Sequence, residues 1–242
     1  MEQEEVLERV VPPVLDFPQT WWESFWRKEL GIVGLSRDSA KLLRPEVAVL
    51  LGANRIGESD VVCSFGQVSM PVGRAGLSRQ IALPQGLTEQ RLFGHLMTIF
   101  PCTKYTDASL DQEVVFNERD ARQASYVIWT RDQVEADKEL KCVSANDLRV
   151  RGKSTMTLLE YLAYALVYYR ETEFLVRDGS IPPRVQGQHL DIRDWTLCAG
   201  TRLVGGGVPY CSWRDVDKGR LDIVSVPVEF ARDYVRAREV SP

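Results

Sequence analysis

The stretch DIRDWTLCAGTRLVGGGVPYCSW, Asp191 to Trp213, decides how the last third of the chain is read. Three consecutive glycines, Gly205 to Gly207, invite comparison with a phosphate loop. A P-loop needs GxxxxGKS or GxxxxGKT between a strand and a helix, and a dinucleotide fold needs GxGxxG opening a helix. Here Val208 and Pro209 follow with no helical pattern behind them. Pro209 also withholds an N–H that a phosphate would use. The glycines therefore predict a turn between strands, with VPYCSW and the later RLDIVSV as strands.

Upstream, the periodicity changes. TLLEYLAYALVYYRETEF predicts a helix opened by a capping box, in which Thr157 and Glu160 satisfy free backbone N–H groups. Leu158, Leu162, Ala165, Leu166 and Tyr169 form its apolar stripe, and Tyr161, Tyr164 and Tyr168 fall off it, at the edge of the core. ASYVIWTRD, 124–132, reads as a strand. GLTEQRLFGHLMTIFP reads as a helix with Leu92, Phe93, Leu96 and Phe100 on one face. CSFGQVSMPV alternates like a further strand. The order predicts an α+β fold, with helices in the first two-thirds and a β-rich, loop-rich end.

Residues 1–60 differ in character and are read as a separate N-terminal helical segment without an assigned role. Within them Trp22, Phe25 and Trp26 share one helix face. A helix docking on its own core is the simpler reading, and a partner-binding helix is the alternative.

Composition narrows the function classes. The 242 residues are 44% hydrophobic and 26% charged with a net charge of -4, the profile of a globular chain and not of a general polyanion binder. ARDYVRAR, 231–238, is read as solvated surface, and no nucleic-acid partner is expected. The acidic start MEQEEVLERVV lacks the features of a signal peptide, and LLEYLAYALVYY is too short to span a bilayer, so a cytoplasmic chain without a membrane partner is expected. Display on a surface or virion is the alternative location.

Site chemistry is sparse. Five cysteines without zinc-ligand spacing read as reduced or buried thiols, Cys198 and Cys211 being the closest pair. DVDKG, 215–219, puts its glycine one place too early for an EF-hand and reads as an acidic turn. His95 lies among apolar helix residues and reads as structural. His189 near Asp191 and Asp194 is a conceivable catalytic pair, without a nucleophile tied to it, and Glu171 with Glu173 reads as exposed charge. Neither a cofactor nor a metal is expected.

Residues 61–242 resemble the variable proteins of diversity-generating retroelements. The resemblance rests on Thr196 to Arg202, Gly206, Val208-Pro209 and Trp213, on Leu221 and Ile223, and on the closing Arg236-Ala237-Arg238. SYVIWTRDQVEADKELKCVSANDL and TLLEYLAYALVYYRETE extend it upstream. It implies a C-type-lectin-like fold of the subtype shared with formylglycine-generating enzymes, and a variable region at about 198–238. In that family, error-prone reverse transcription at adenines rewrites chosen codons while framework residues stay fixed.

The implied product is a non-enzymatic protein that binds an unidentified protein or other macromolecular ligand. Its expected variable positions are Leu203, Gly205, Gly207, Tyr210, Ser212, Arg214, Asp215, Asp222, Val224, Phe230 and Tyr234. Strand alternation would turn Tyr210, Ser212, Asp222 and Val224 outward and leave Leu221 and Ile223 inward. The chain departs from the family where Val208 to Ser212 separate the glycines from Trp213. It also lacks the calcium-binding Glu-Pro-Asn motif and an identifiable catalytic cysteine pair. A fixed structural or phage-assembly protein is the alternative, and a hydrolase around His189 a further one.

Overall fold

The computed structural model describes residues 19–30, 76–177, 189–214 and 219–241. The expected strand in 63–72, the division at residue 60 and Asp215 lie outside them. The described elements are α1 (Gln19–Leu30), β1 (Arg79–Leu83), α2 (Glu89–Met97), β2 (Cys102–Lys104), α3 (Leu110–Glu113), β3 (Val114–Asn117), β4 (Tyr126–Thr130), α4 (Ala145–Val150) and α5 (Leu158–Arg177). The strands β5 (Trp195–Leu197), β6 (Thr201–Leu203), β7 (Val208–Arg214), β8 (Arg220–Val226), β9 (Val235–Arg236) and β10 (Val240–Ser241) complete the order. The fold is α+β.

α5 begins where its capping box dictates. The Thr157 hydroxyl accepts from the Glu160 amide at 3.2 Å, and Glu160 Oε2 accepts from the Thr157 amide at 2.8 Å. Glu160 is fully buried, and a buried carboxylate needs a paired charge. Arg119 supplies it through two bonds of 2.6 and 2.9 Å, and its remaining donors hold Ser154 and the Thr155 carbonyl.

The one-sided helix expected from the apolar stripe is corrected. Tyr161, Tyr164 and Tyr168 are as buried as the stripe itself. α5 packs against β1, α2 and β7, so it has no solvent face over its first three turns. Aromatic rings suit such a position, because their edges meet polar groups while their faces fill volume. Arg79 and Arg238 lie over the Tyr164 ring at 5.8 and 5.3 Å.

One three-stranded sheet, β1-β4-β10, is antiparallel throughout. α1 closes its β1 side. Trp22 Nε1 donates to Gln80 at 3.1 Å and Trp26 Nε1 to the Ala82 carbonyl at 2.8 Å, and both rings are fully buried. The tryptophan-rich helix therefore docks on the core shared by α2 and α5.

The second sheet runs β2-β8-β7-β5-β9, antiparallel at its centre and parallel at both edges. Cys211, Leu221 and Ile223 turn one face into the main core. Over the other, Leu140, Val143, Ala145 and Leu148 cover Leu197, Val208, Val226 and Val235. A bulged ribbon of β3 and β6 stands apart.

The closing run divides: Arg232, Asp233 and Tyr234 are exposed as expected, while 235–238 is corrected from solvated surface to structural core. Arg238 and Asp191 are both fully buried and bond at 2.8 Å, while Arg236 pairs with Asp194 at 2.8 Å. Arg238 also donates to Thr196 and to the Gln133 and Val134 carbonyls. Asp191 accepts from the Thr196 hydroxyl at 2.6 Å and the Ala136 amide at 3.0 Å. Charge run and surface exposure are separable because each of these arginines meets an acid of the DIRD stretch. Arg238→Met would leave the Asp191 carboxylate buried and unpaired. We expect it to cost about 3–5 kcal/mol, read from the urea unfolding midpoint.

Candidate ligand-binding face

The β7–β8 ladder sorts its side chains into two sets. Tyr210 pairs with Val224, Ser212 with Asp222 and Arg214 with Arg220, so these six share one face. Cys211 pairs with Ile223 and Trp213 with Leu221 on the other. Trp213 is held there by His189, whose ring stacks on it at 3.3 Å and 3°, and by Phe100. Gly219, at φ +70°, leaves the space the indole fills, since a Cβ there would lie 2.7 Å from Trp213.

Direction is as alternation predicts, but exposure is not. Tyr210, Ser212 and Asp222 were expected to meet solvent, and all three are buried. Tyr210 is enclosed because its ring stacks on Trp195 at 4.5 Å and on Phe230 at 6.1 Å. Asp222 is enclosed by its own partners: Arg220 and Thr103 donate to Oδ1, and Arg214 pairs with Oδ2 at 2.9 Å. Ser212, in register with Asp222, is fully buried with its hydroxyl unpartnered among the described residues.

Leu203 is a further correction, because it is fully buried in the main core beside Val114 of β3. Gly205 and Gly207 lie elsewhere again. With Val204, Gly206 and 225–229 they line an open cleft of about 350 Å³. Gly205 and Gly206 adopt φ of +80° and +82°, which only glycine takes at little cost, so the run is a turn, as expected. It joins strands of two different sheets, the ribbon strand β6 and the central strand β7.

Tyr210, Arg214, Phe230 and Tyr234 come together. The Arg214 guanidinium lies 5.4 Å over Trp195, Trp195 stacks on Tyr210, Tyr210 on Phe230, and Arg232 lies 5.3 Å over Phe230. Tyr234 meets Trp195 edge-on at 4.6 Å. The result is a ladder of aromatic faces with a guanidinium at each end. Tyr234 is 38% exposed and the Arg214 side chain 41%, and Trp195, Val224 and Phe230 are half-buried. Such a mixture of rigid rings and arginine is typical of residues that dominate binding energy.

Trp195, Arg220 and Arg232 belong to this face and were not among the expected positions. Trp195 was legible as the alternate neighbour of Leu197 on β5, and Arg220 as the hairpin partner of Arg214. Arg232 carried no signal of its own.

The catalytic alternative loses its geometry. Asp191 and Asp194 are committed to Arg238 and Arg236, while His189 packs among Phe100, Tyr169 and Trp213. Burial pushes the His189 pKa down to about 3, so its imidazole is neutral at neutral pH. Cys198 and Cys211 are free thiols with sulfurs 3.9 Å apart, and burial pushes the Cys211 thiol well up, away from a nucleophilic thiolate. Among the described residues no three metal-ligating side chains cluster. No described helix is long and apolar enough to cross a membrane.

The His189 shift sets a pH dependence. A histidine with a folded pKa of about 3 against an ordinary 6.5 binds its proton more readily when unfolded. Stability is therefore lost as pH falls through that window. We expect His189→Phe, which keeps an aromatic stack and removes the titration, to lose less stability than the unmodified chain between about pH 7 and about pH 4.5. Urea unfolding at both pH values reads the difference. Comparison of the chain with family models, curated proteins and solved structures gives no match.

Proposed function

We propose that the chain is a non-enzymatic binding protein whose C-terminal face is diversified by a retroelement to recognise varied targets, proteins foremost. The C-type-lectin-like assignment belongs to this reading. The observation that carries it is the division of the β7–β8 ladder. Trp213, Leu221 and Ile223, which resemble framework, face the core, while Tyr210, Arg214 and Val224, which resemble variable positions, share the opposite face. Phe230 and Tyr234 join them through ring contacts. The half-exposed members of this face, Arg214, Val224 and Phe230, can change with little loss of packing, whereas Tyr210 is buried and a small residue there would open a cavity.

The buried members refine the reading. Ser212 and Asp222 act from within the face by shaping its exposed neighbours, and Leu203 drops out of the contact set. Gly205 and Gly207 contribute the rim of the neighbouring cleft, where their backbone conformation limits what can replace Gly205.

Sequencing the DNA that flanks the gene tests the reading. A near-copy of the 3′ end, differing almost only where the copy carries adenines, beside a reverse-transcriptase gene, is expected. Intact flanking DNA with neither would reject diversification and favour the fixed structural or assembly role. The two faces should also differ in tolerance. Ile223→Ala is expected to cost about 2–5 kcal/mol, as large-to-small core changes do. Arg214→Ala and Tyr234→Ala should stay within about 0.5 kcal/mol of the unmodified chain by urea unfolding.

A further inference from the structure

Cys198 and Cys211 take no part in the face described above. Cys211 lies on β7 between Tyr210 and Ser212 and turns the other way, into the main core with Leu221 and Ile223. Cys198 directly follows β5. Its amide donates to the Pro209 carbonyl at 2.9 Å, which continues the β5–β7 ladder one step beyond the pairing of Leu197 with Tyr210. On that register Cys198 and Cys211 are diagonal neighbours on one side of two paired strands, and their sulfurs meet at 3.9 Å.

Both are free thiols and fully buried, 13 residues apart in the chain. A disulfide needs its sulfurs to close from 3.9 Å to about 2.0 Å, which asks for side-chain rotation and not for a change of strand pairing. Access is the second constraint. α5 packs over β7, and Tyr161 of that helix lies beside both thiols. Burial pushes the Cys211 thiol well up, so the closed fold holds little thiolate and keeps oxidants out. Both obstacles vanish when the chain is unfolded or when β5 and β7 part.

We propose that Cys198 and Cys211 are a latent cystine, a covalent link between β5 and β7 that forms when the chain folds beside a small-molecule disulfide. One cysteine thiolate attacks a sulfur of the disulfide RSSR, giving a mixed disulfide and releasing RS⁻. The second cysteine thiolate then displaces the remaining RS⁻. The cysteine pair loses two electrons and two protons, and RSSR is reduced to two thiols, RSH. The link closes the segment 198–211, which carries β6 and the glycine turn, and restricts the unfolded chain more than the folded one. Stability of the C-terminal sheet thereby responds to the redox state of the surroundings.

The test uses the full chain, reduced in urea, refolded by dilution with oxidised and reduced glutathione, and blocked with iodoacetamide. Trypsin cuts after Arg193, Arg202 and Arg214, which places the two cysteines on separate peptides, 194–202 and 203–214. Mass spectrometry should find them as one species, two hydrogens lighter than the reduced pair and separated by dithiothreitol. In the folded, reduced chain the same species should form slowly, and faster as urea approaches the unfolding midpoint, because opening comes first. The linked chain should unfold at higher urea than the reduced chain, and Cys198→Ser and Cys211→Ser should each abolish that rise.

Glutathione adducts on the two separate peptides in place of the linked species would overturn the proposal. Links from either cysteine to Cys63, Cys102 or Cys142 would do the same, as would a linked chain no more stable than the reduced one. Oxidation of the folded chain at a rate independent of urea would show that the pair is not sealed and would also overturn it. The peptide map of the unmodified chain decides whether the link forms even where a serine variant fails to fold.

Discussion

The buried pair of Arg238 and Asp191 is the constraint on which the described fold most depends. Five groups from three chain regions converge on it: the Gln133 and Val134 carbonyls, the Ala136 amide, the Thr196 hydroxyl and the face of Tyr164. Removing two charges from water carries a penalty that only close pairing and full hydrogen bonding offset. Here every partner must be in place together, so the C-terminal strands, β5 and the middle of α5 are set relative to one another by one polar cluster. Arg236 and Asp194 repeat the arrangement closer to the surface.

A second buried pair plays the same part for the other end of α5. Arg119 and Glu160 tie the start of the helix to the loop before β4, and the Thr157 cap fixes the first turn. The long apolar helix is thus anchored at its start and its middle by charge, and packed elsewhere by Leu and Tyr. Nonpolar packing alone would allow it to slide or rotate, because Leu158, Leu162 and Leu166 are similar in size and shape. The polar contacts are directional and hold one register.

Local pattern made part of this architecture legible. Thr157 and Glu160 announced the helix start, the spacing of Leu92, Phe93 and Leu96 announced α2, and alternation in VPYCSW and RLDIVSV the two central strands and their facing sets. Burial was much less legible. Tyr161 and Tyr164 read as peripheral because periodicity describes one helix against one neighbour, and α5 has neighbours all round. Tyr210, Ser212 and Asp222 read as exposed because alternation tells which way a side chain points, not what lies above it. Trp195 and Phe230 cover Tyr210, and arginines from both strands cover Asp222. Arg238 read as surface because its acid lies 47 residues earlier in the chain. Convergence of the ladder required knowing that β5 is the neighbour of β7, which no local pattern states.

The edges of the five-stranded sheet limit how another chain can approach. They are β2 and β9, three and two residues long, each joined in parallel to its neighbour. Short edges offer too few free N–H and C=O groups to template an added strand. A partner cannot extend this sheet by main-chain pairing over any useful length, and the same feature opposes aggregation by edge-to-edge growth. On the proposed reading, contact is made across the face, through side chains. In such a contact the identity of the residues, and not the shape of the backbone, determines which partner is held.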